Sequence, residues 1–342
     1  MSAGSLVLGI ETSCDETAAA VVRGGREPLS SIVISQVNEH AAWGGVVPEI
    51  AGRGHLGALQ PAVAQAMQQA GAAPADLAAV AVTMQPGLLG SLLVGATAAK
   101  ALAWAWDKPL VAVDHIHAHV YAALLSLPKW EFPYIALVVS GGHTSLYRAD
   151  DPLTLTRLGA TRDDAAGEAF DKAAALLGLA YPGGPAIERA AAGGDPRAFP
   201  FKLPLLAADS LEFSFSGLKT ALLYTLVGPG NRRDAPWRVP RARLADLCAS
   251  FEHAIAETLA RKALRAAAQH GVPRILVGGG VACNRRLRAL LAEQAERAGC
   301  EVHFAEPAHC TDNAVMVAGL GHALLAAGRI APLDADVAAR AE

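Results

Sequence analysis

Aromatic residues make up only 5% of the 342-residue chain, its five cysteines contain no Cys-x-x-Cys pair, and its 29 Lys and Arg are outnumbered by 32 Asp and Glu. Each shortage excludes something. With so few large rings and 52% hydrophobic residues, largely alanine, the core must be built from many closely packed helices and strands. An odd set of cysteines (14, 248, 283, 300 and 310) indicates neither a disulfide framework nor a zinc knuckle, and fits a reducing cytosol. A net charge of -3 excludes a generally basic nucleic-acid binder, although a local basic patch is still allowed. No basic region precedes the short apolar run Leu6 to Ile10, and the most apolar helix candidate, Leu88 to Trp106, is broken by Gly90, Gly95 and Lys100. The expectation is a cytoplasmic protein without a signal peptide or membrane span. The length suits two domains, 1–130 and 131–342.

What the chain does have is concentrated in Asp114-His-Ile-His-Ala-His-Val-Tyr121. On a helix His115 and His119, four apart, share a face, while His117 points elsewhere. Two imidazoles on one face can bind one transition metal at roughly 2 Å, with a third ligand from a distant part of the chain. The same pair on a surface helix would be merely polar. The apolar flanks, Leu110–Val113 and Val120–Ala123, predict a strand feeding that helix, and strand ends are where sites collect in α/β folds. Asp312, before a helix at Val315–Ala326, is the candidate third ligand.

The strand Leu6–Glu11, the polar turn Thr12–Thr17 and the apolar run Ala18–Val22 recur as Tyr134–Val139, Ser140–Thr144 and Ser145–Tyr147. Such a repeat predicts duplicated lobes facing each other across a cleft, with small-residue turns bringing backbone N–H groups to an anionic ligand. Between the hairpins, Glu49, Arg53 and His55 open a helix running to Ala70, as functional groups or as a solvated first turn. In the second half Asp171 and Glu188 flank the glycine turn Tyr181–Pro185 and can accept hydrogen bonds from ribose hydroxyls, or stand as helix charges. Ser214, Ser216 and Lys219 either face phosphate or cap a helix. The loop 228–243, with Arg232, Arg233, Arg238, Arg241 and Arg243 around Trp237, is the best basic patch: an RNA phosphate contact or an ordinary loop. Three glycines after the strand Arg274–Val277 let a flat purine approach the main chain, where Asn284 offers its edge a donor and an acceptor.

Taken in order, Gly9–Thr17, His115-x-x-x-His119, Val139–Thr144, Gly167–Lys172, Tyr181–Pro185, Phe213–Thr220, Gly279–Val281 with Asn284, and Cys310–Asn313 resemble the bacterial TsaD (formerly Gcp) tRNA adenosine threonylcarbamoyltransferases, related to the Kae proteins. The resemblance spans nearly the whole chain. It implies an actin-like ATPase (ASKHA) fold of two ribonuclease-H-like lobes. It also implies one divalent metal, iron favoured and zinc allowed, on His115, His119 and Asp312, and an adenylate held by Val138, Val139, Ser140, Gly141, Gly142, Asp171, Gly184, Glu188 and Asn284. The implied reaction moves a threonylcarbamoyl group from threonylcarbamoyl-AMP to the exocyclic amine of the adenosine beside the anticodon, in tRNAs reading codons that start with A. TsaB and the ATPase TsaE are the implied partners. His143, Asp15 and Glu16 are candidates for the base that takes the amine proton. The chain departs from the family at Gln85, at Ile116-His117-Ala118 between the paired histidines, and at Gly52.

Two other functions fit parts of this pattern. A metalloprotease of the zincin type needs a glutamate directly after its first histidine, where Ile116 stands. A nucleotide-binding scaffold or actin-like sugar kinase would use the same cleft, but two histidines differ from the hydrated magnesium site of kinases.

Overall fold

The computed structural model describes residues 4–204, 209–230 and 235–340. Arg232 and Arg233 lie outside them. In chain order the elements are β1 (Leu6–Glu11), β2 (Glu16–Arg23), β3 (Glu27–Pro28), β4 (Ile32–Ser35), α1 (Val37–Ala41), α2 (Pro48–Ala70), β5 (Leu77–Gln85), α3 (Leu89–Ala105), β6 (Leu110–Asp114) and α4 (His115–Leu125). They continue with β7 (Tyr134–Val139), β8 (Thr144–Ala149), β9 (Leu155–Ala160), α5 (Ala166–Leu177), α6 (Gly183–Ala190), α7 (Ser216–Val227), α8 (Leu244–His270) and β10 (Arg274–Gly278). Last come α9 (Arg285–Ala298), β11 (Glu301–Phe304), α10 (Pro307–Cys310) and α11 (Ala314–Ala326). Among the described residues, no helix is long and apolar enough to cross a membrane.

The chain divides into two compact units. The first comprises Met1–Pro128, Asp151–Thr154 and Thr311–Glu342, the second Lys129–Asp150 and Leu155–Cys310. The last helix therefore belongs to the first unit, and the division is not one cut near residue 130.

In the first unit the strand order is β3-β2-β1-β5-β6, with β4 added to β2. The β1–β2 hairpin is antiparallel, whereas β1, β5 and β6 run parallel, as expected of strands joined through helices. Both faces of β1 are covered, which explains its unbroken apolar run. Leu8 and Ile10 face a core completed by Leu59, Ala62, Val63, Ala96 and Ala99 from α2 and α3. Gly9 faces the other way, onto α11. A Cβ added there would lie 2.4 Å from the Ala314 carbonyl oxygen and 2.6 Å from the Ala318 nitrogen. Gly9→Val should consequently destabilise the chain by about 3 kcal/mol, since helix backbone cannot yield as a side chain can. A fall in thermal midpoint measures it, and an unchanged midpoint would refute this packing.

In the second unit the order is β11-β10-β7-β8-β9. Here too an antiparallel hairpin, β7–β8, pairs through its first strand with a parallel strand, β10, followed by parallel β11. The repeat legible in the sequence is thus a repeat of strand topology.

The Phe213–Gly217 turn is held from within. Asp163 accepts hydrogen bonds from the Ser214 and Ser216 hydroxyls at 2.6 and 2.7 Å and from the Phe215 and Ser216 amides at 2.7 and 3.2 Å. Both serine hydroxyls are thus spent on Asp163, which braces the start of α7, and are not set out for phosphate. Partial burial opposes the Asp163 charge, but these donors outweigh it and hold the carboxyl below its usual range. Because the folded value is depressed, the stabilisation is complete above about pH 4, the unfolded value, and is lost as pH falls through the folded one. Asp163→Ala should cost about 1 kcal/mol at pH 7, as for loss of a cap. Melting curves across pH should show the gap closing in strong acid; a gap independent of pH would refute the charge's role.

Candidate active site

In the first unit, β6 delivers Asp114, whose side chain accepts from the Ile116 and His117 amides at 2.9 and 3.0 Å and so starts α4. Gln85, one of the departures from the family pattern, donates to Asp114 at 3.3 Å. This start places His115 and His119 on one buried face, their rings edge to face with centroids 4.7 Å apart. Asp312, just before α11, meets both: its Oδ1 lies 3.1 Å from His119 Nε2 and 3.5 Å from His115 Nε2. Donor atoms of the three residues all fall within 4.8 Å of one another, and His117 is outside the group.

The surroundings suit a cation. Glu11 Oε2 lies 3.1 Å from His115 Nδ1 and also accepts from Thr83 Oγ1 at 2.6 Å, while Ser13 Oγ is 3.1 Å from the same Nδ1. A carboxylate behind Nδ1 holds a proton there, so that a cation displacing the other proton would meet Nε2 on the Asp312 side, the usual support for a metal-binding histidine. His119 Nδ1 is buried without a hydrogen-bond partner among the described residues, so its tautomer is set from the Asp312 side alone. Burial works against a charge on His115, but Asp312 and Glu11 outweigh it and hold the imidazole up at about 9. The potential here favours a positive ion. Two imidazoles and one carboxylate with room for further oxygens is a donor set shared by open zinc sites and non-haem ferrous iron.

Asp15 and Glu16 sit on the turn between β1 and β2. Burial, then Asp312 and Asp15, push Glu16 up to about 9. Burial likewise raises the Cys14 thiol, with Asp15 adding to it. His55 supports this turn and is not solvated: it is fully buried, 2.7 Å from Thr17 Oγ1 and 2.9 Å from the Cys14 carbonyl. Glu49 and Arg53 on the same helix are exposed.

In the second unit the candidate adenylate residues collect at the carboxyl ends of β7 and β10. Val138 pairs with Gly278, and Gly279 (φ 93°) approaches so closely that a Cβ would lie 2.3 Å from the Val139 carbonyl oxygen. The Ser140–His143 turn closes through the Ser140 amide on the His143 carbonyl at 2.8 Å and the His143 amide on Ser140 Oγ at 3.2 Å. Gly167, entering α5, packs on its backbone. Asp171 Oδ1 accepts from the Gly183 amide at 2.7 Å and so holds the start of α6, which carries Gly184 and Glu188. Asn284 Oδ1 caps α9 on the Leu287 amide at 2.9 Å, while its Nδ2 donates to Glu252 at 2.7 Å and Glu188 at 3.2 Å. Glu188 also pairs with Arg285. Open space borders the positions where side chains would stand at Gly141, Gly142, Gly184 and Gly280. Glycine backbone next to open space at strand ends is what a flat nucleotide needs.

Sequence reasoning missed two carboxylates. Glu11 had a visible signal, a lone acid ending a wholly apolar strand. Glu252 had none, being one charge within a 27-residue helix. The arginines of the 228–243 loop are partly spent on internal contacts: Arg241 lies over the Trp237 ring at 3.5 Å, and Arg243 pairs with Asp246 at 3.0 Å.

The fold defines the class first: this is an α/β chain with the actin-like (ASKHA) fold. Over 95% of the chain it is similar to the protein described as T. kodakarensis HypF (TM-score 0.62, 17% identity, 48% of that chain), and over 95% to a ROK hexokinase from Thermus thermophilus (TM-score 0.51, 16% identity, 99% of that chain). A family model, TsaD: tRNA N6-adenosine threonylcarbamoyltransferase, matches residues 27–319. Proteins of that name from Anaeromyxobacter sp. (strain Fw109-5) and Sorangium cellulosum (strain So ce56) are 52% and 50% identical to it, over 98% and 96% of this chain and 99% and 94% of theirs. The chain belongs to the TsaD family of tRNA N6-adenosine threonylcarbamoyltransferases.

Proposed function

We infer that the protein transfers a threonylcarbamoyl group to N6 of an adenosine in tRNA, and the observation that carries this is family membership at about half identity over nearly the full length. The finer reading is that the donor is threonylcarbamoyl-AMP, that the acceptor adenosine lies beside the anticodon in tRNAs reading codons that begin with A, and that the work is done in the cytoplasm with TsaB and TsaE as partners. The acidic balance of the chain supports the need for partners, since unaided RNA affinity would be weak and salt-sensitive.

In the reaction the exocyclic nitrogen forms a bond to the carbamoyl carbon, the carbon–oxygen bond to the phosphate breaks, AMP leaves with the electron pair, and one amine proton is lost. Asn284, whose Nδ2 donates to Glu188 and Glu252 and whose Oδ1 caps α9, offers the adenine the remaining lone pair of Oδ1 as an acceptor. Asp171, through Gly183, holds the turn at Gly184 against it. The Ser140–Gly142 backbone, with its two exposed glycines, accommodates the phosphate side. Iron or zinc on His115, His119 and Asp312 would supply Lewis-acid polarisation of an acyl oxygen. Glu11 keeps His115 in the tautomer that such an ion requires. His143, Asp15 and Glu16 are the candidates for the base that takes the amine proton. Isothermal titration with a non-hydrolysable threonylcarbamoyl-AMP analogue should give one strong site per chain, and no binding would contradict the choice of donor.

A further inference from the structure

A cavity of about 540 Å³ opens between the 196–203 segment and the facing sides of α8 and α9. That is within the roughly 300–1,000 Å³ range of small-molecule sites. None of Asp171, Gly184, Glu188 or Asn284 lines it. Its walls carry four arginines against two glutamates. Two of the arginines are neutralised on their own helices, Arg261 by Glu257 and Arg297 by Glu293. The other two, Arg197 and Arg286, make no close ion pair with a carboxylate among the described residues; Glu252 meets the Arg286 charge only through space, so both guanidiniums keep donors for an anion in the cavity. Arg286 is held in place by His253, whose Nδ1 lies 3.1 Å from its Nη2, yet its Nε is buried without a hydrogen-bond partner among the described residues. Burial, and next the Arg286 charge, keep His253 below its usual range and hence neutral, so it orients the guanidinium without cancelling its charge. The 196–203 segment that carries Arg197 also lines the cavity with Phe199, whose ring has the Arg243 guanidinium 4.6 Å from its centroid, and with Phe201, which stands edge-on to Phe251 at 5.8 Å.

Two unpaired guanidiniums recognise a phosphate, and a neighbouring aromatic wall recognises a base. We propose that this cavity is a second nucleotide site, with the phosphate on Arg197 and Arg286 and the base against Phe199 and Phe201. The nucleotide is either free or a residue of tRNA, the latter source resting on the function inferred above.

The full chain should be tested by equilibrium dialysis with AMP and by filter binding of unmodified tRNA across a salt series. The variant is Arg197→Ala, because Arg197 is exposed and its side chain makes no bond that the fold needs; Arg286→Ala, checked for an unchanged melting point, is the second. Wild-type chain should bind two AMP per chain and either variant one, with at least a tenfold loss at the second site. If the residue belongs to tRNA, the variants should instead bind tRNA at least several-fold more weakly, with a salt slope smaller by about 1 for each phosphate no longer held. Weakening in the AMP arm assigns a free nucleotide, and weakening in the tRNA arm an RNA residue. AMP and tRNA binding both equal to wild type in both variants overturns the proposal. If the adenylate site at Asn284 failed instead, wild type would bind a single AMP that Arg197→Ala abolishes and Asn284→Asp leaves unchanged.

Discussion

Replacing His115 and His119 together by alanine should reduce bound metal from one ion per chain to none and lower threonylcarbamoyladenosine formation by about a thousandfold or more, the scale expected when Lewis-acid stabilisation is removed. The two imidazoles supply both nitrogen donors, and Asp312 alone is a poor site for a transition metal. Glu11→Gln is the informative companion. It keeps the size of the side chain but removes the carboxylate 3.1 Å behind His115 Nδ1, so metal affinity should fall about 10–100-fold while some metal is retained. Elemental analysis of protein purified with and without oxygen measures both, and also decides between iron and zinc. Full metal content in the double variant would remove these residues as ligands.

The second large effect is expected at Asn284. Asn284→Asp keeps an oxygen to cap α9, so the helix should survive. It also sets a third carboxylate against Glu252 and Glu188, where Asn284 now donates to both. Glu252 is already raised, by burial first and then by Glu188, with the Asn284 bond acting in the other direction. Loss of that bond leaves a buried acid without its donor. Affinity for the adenylate should fall at least a hundredfold, with little change in the α9 contribution to stability, and Glu252→Gln in the same chain should restore part of it. Asn284→Ala should lose the cap as well, at about 1 kcal/mol. Equal nucleotide affinity in wild type and Asn284→Asp would exclude this residue from the site.

Much of this was legible in the chain because short-range patterns decide it. Unbroken apolar runs gave β1, β5, β7 and β10, and the repeat of apolar run, polar turn and apolar run marked the two hairpins. The four-residue spacing put His115 and His119 on one face. What stayed hidden depends on pairings between distant residues. Nothing near His55 announces that it is buried under the β1–β2 turn, and Ser214 and Ser216 look like phosphate ligands until Asp163, some fifty residues earlier, is seen to take both hydroxyls. Glu252 becomes meaningful only when α8 and α9 pack, 32 residues apart in sequence at their contact. The closure of α11 onto β1 likewise turns on the missing Cβ at Gly9, which a pattern of hydrophobicity does not record.

The central claim is the reaction itself. Purified chain should be mixed with TsaB, TsaE, synthetic threonylcarbamoyl-AMP and unmodified tRNA reading A-starting codons, and the RNA then digested and examined by mass spectrometry. Threonylcarbamoyladenosine formed by the wild-type chain, and lost with His115→Ala plus His119→Ala, is the predicted result; no product from well-folded, metal-loaded wild-type chain would contradict it.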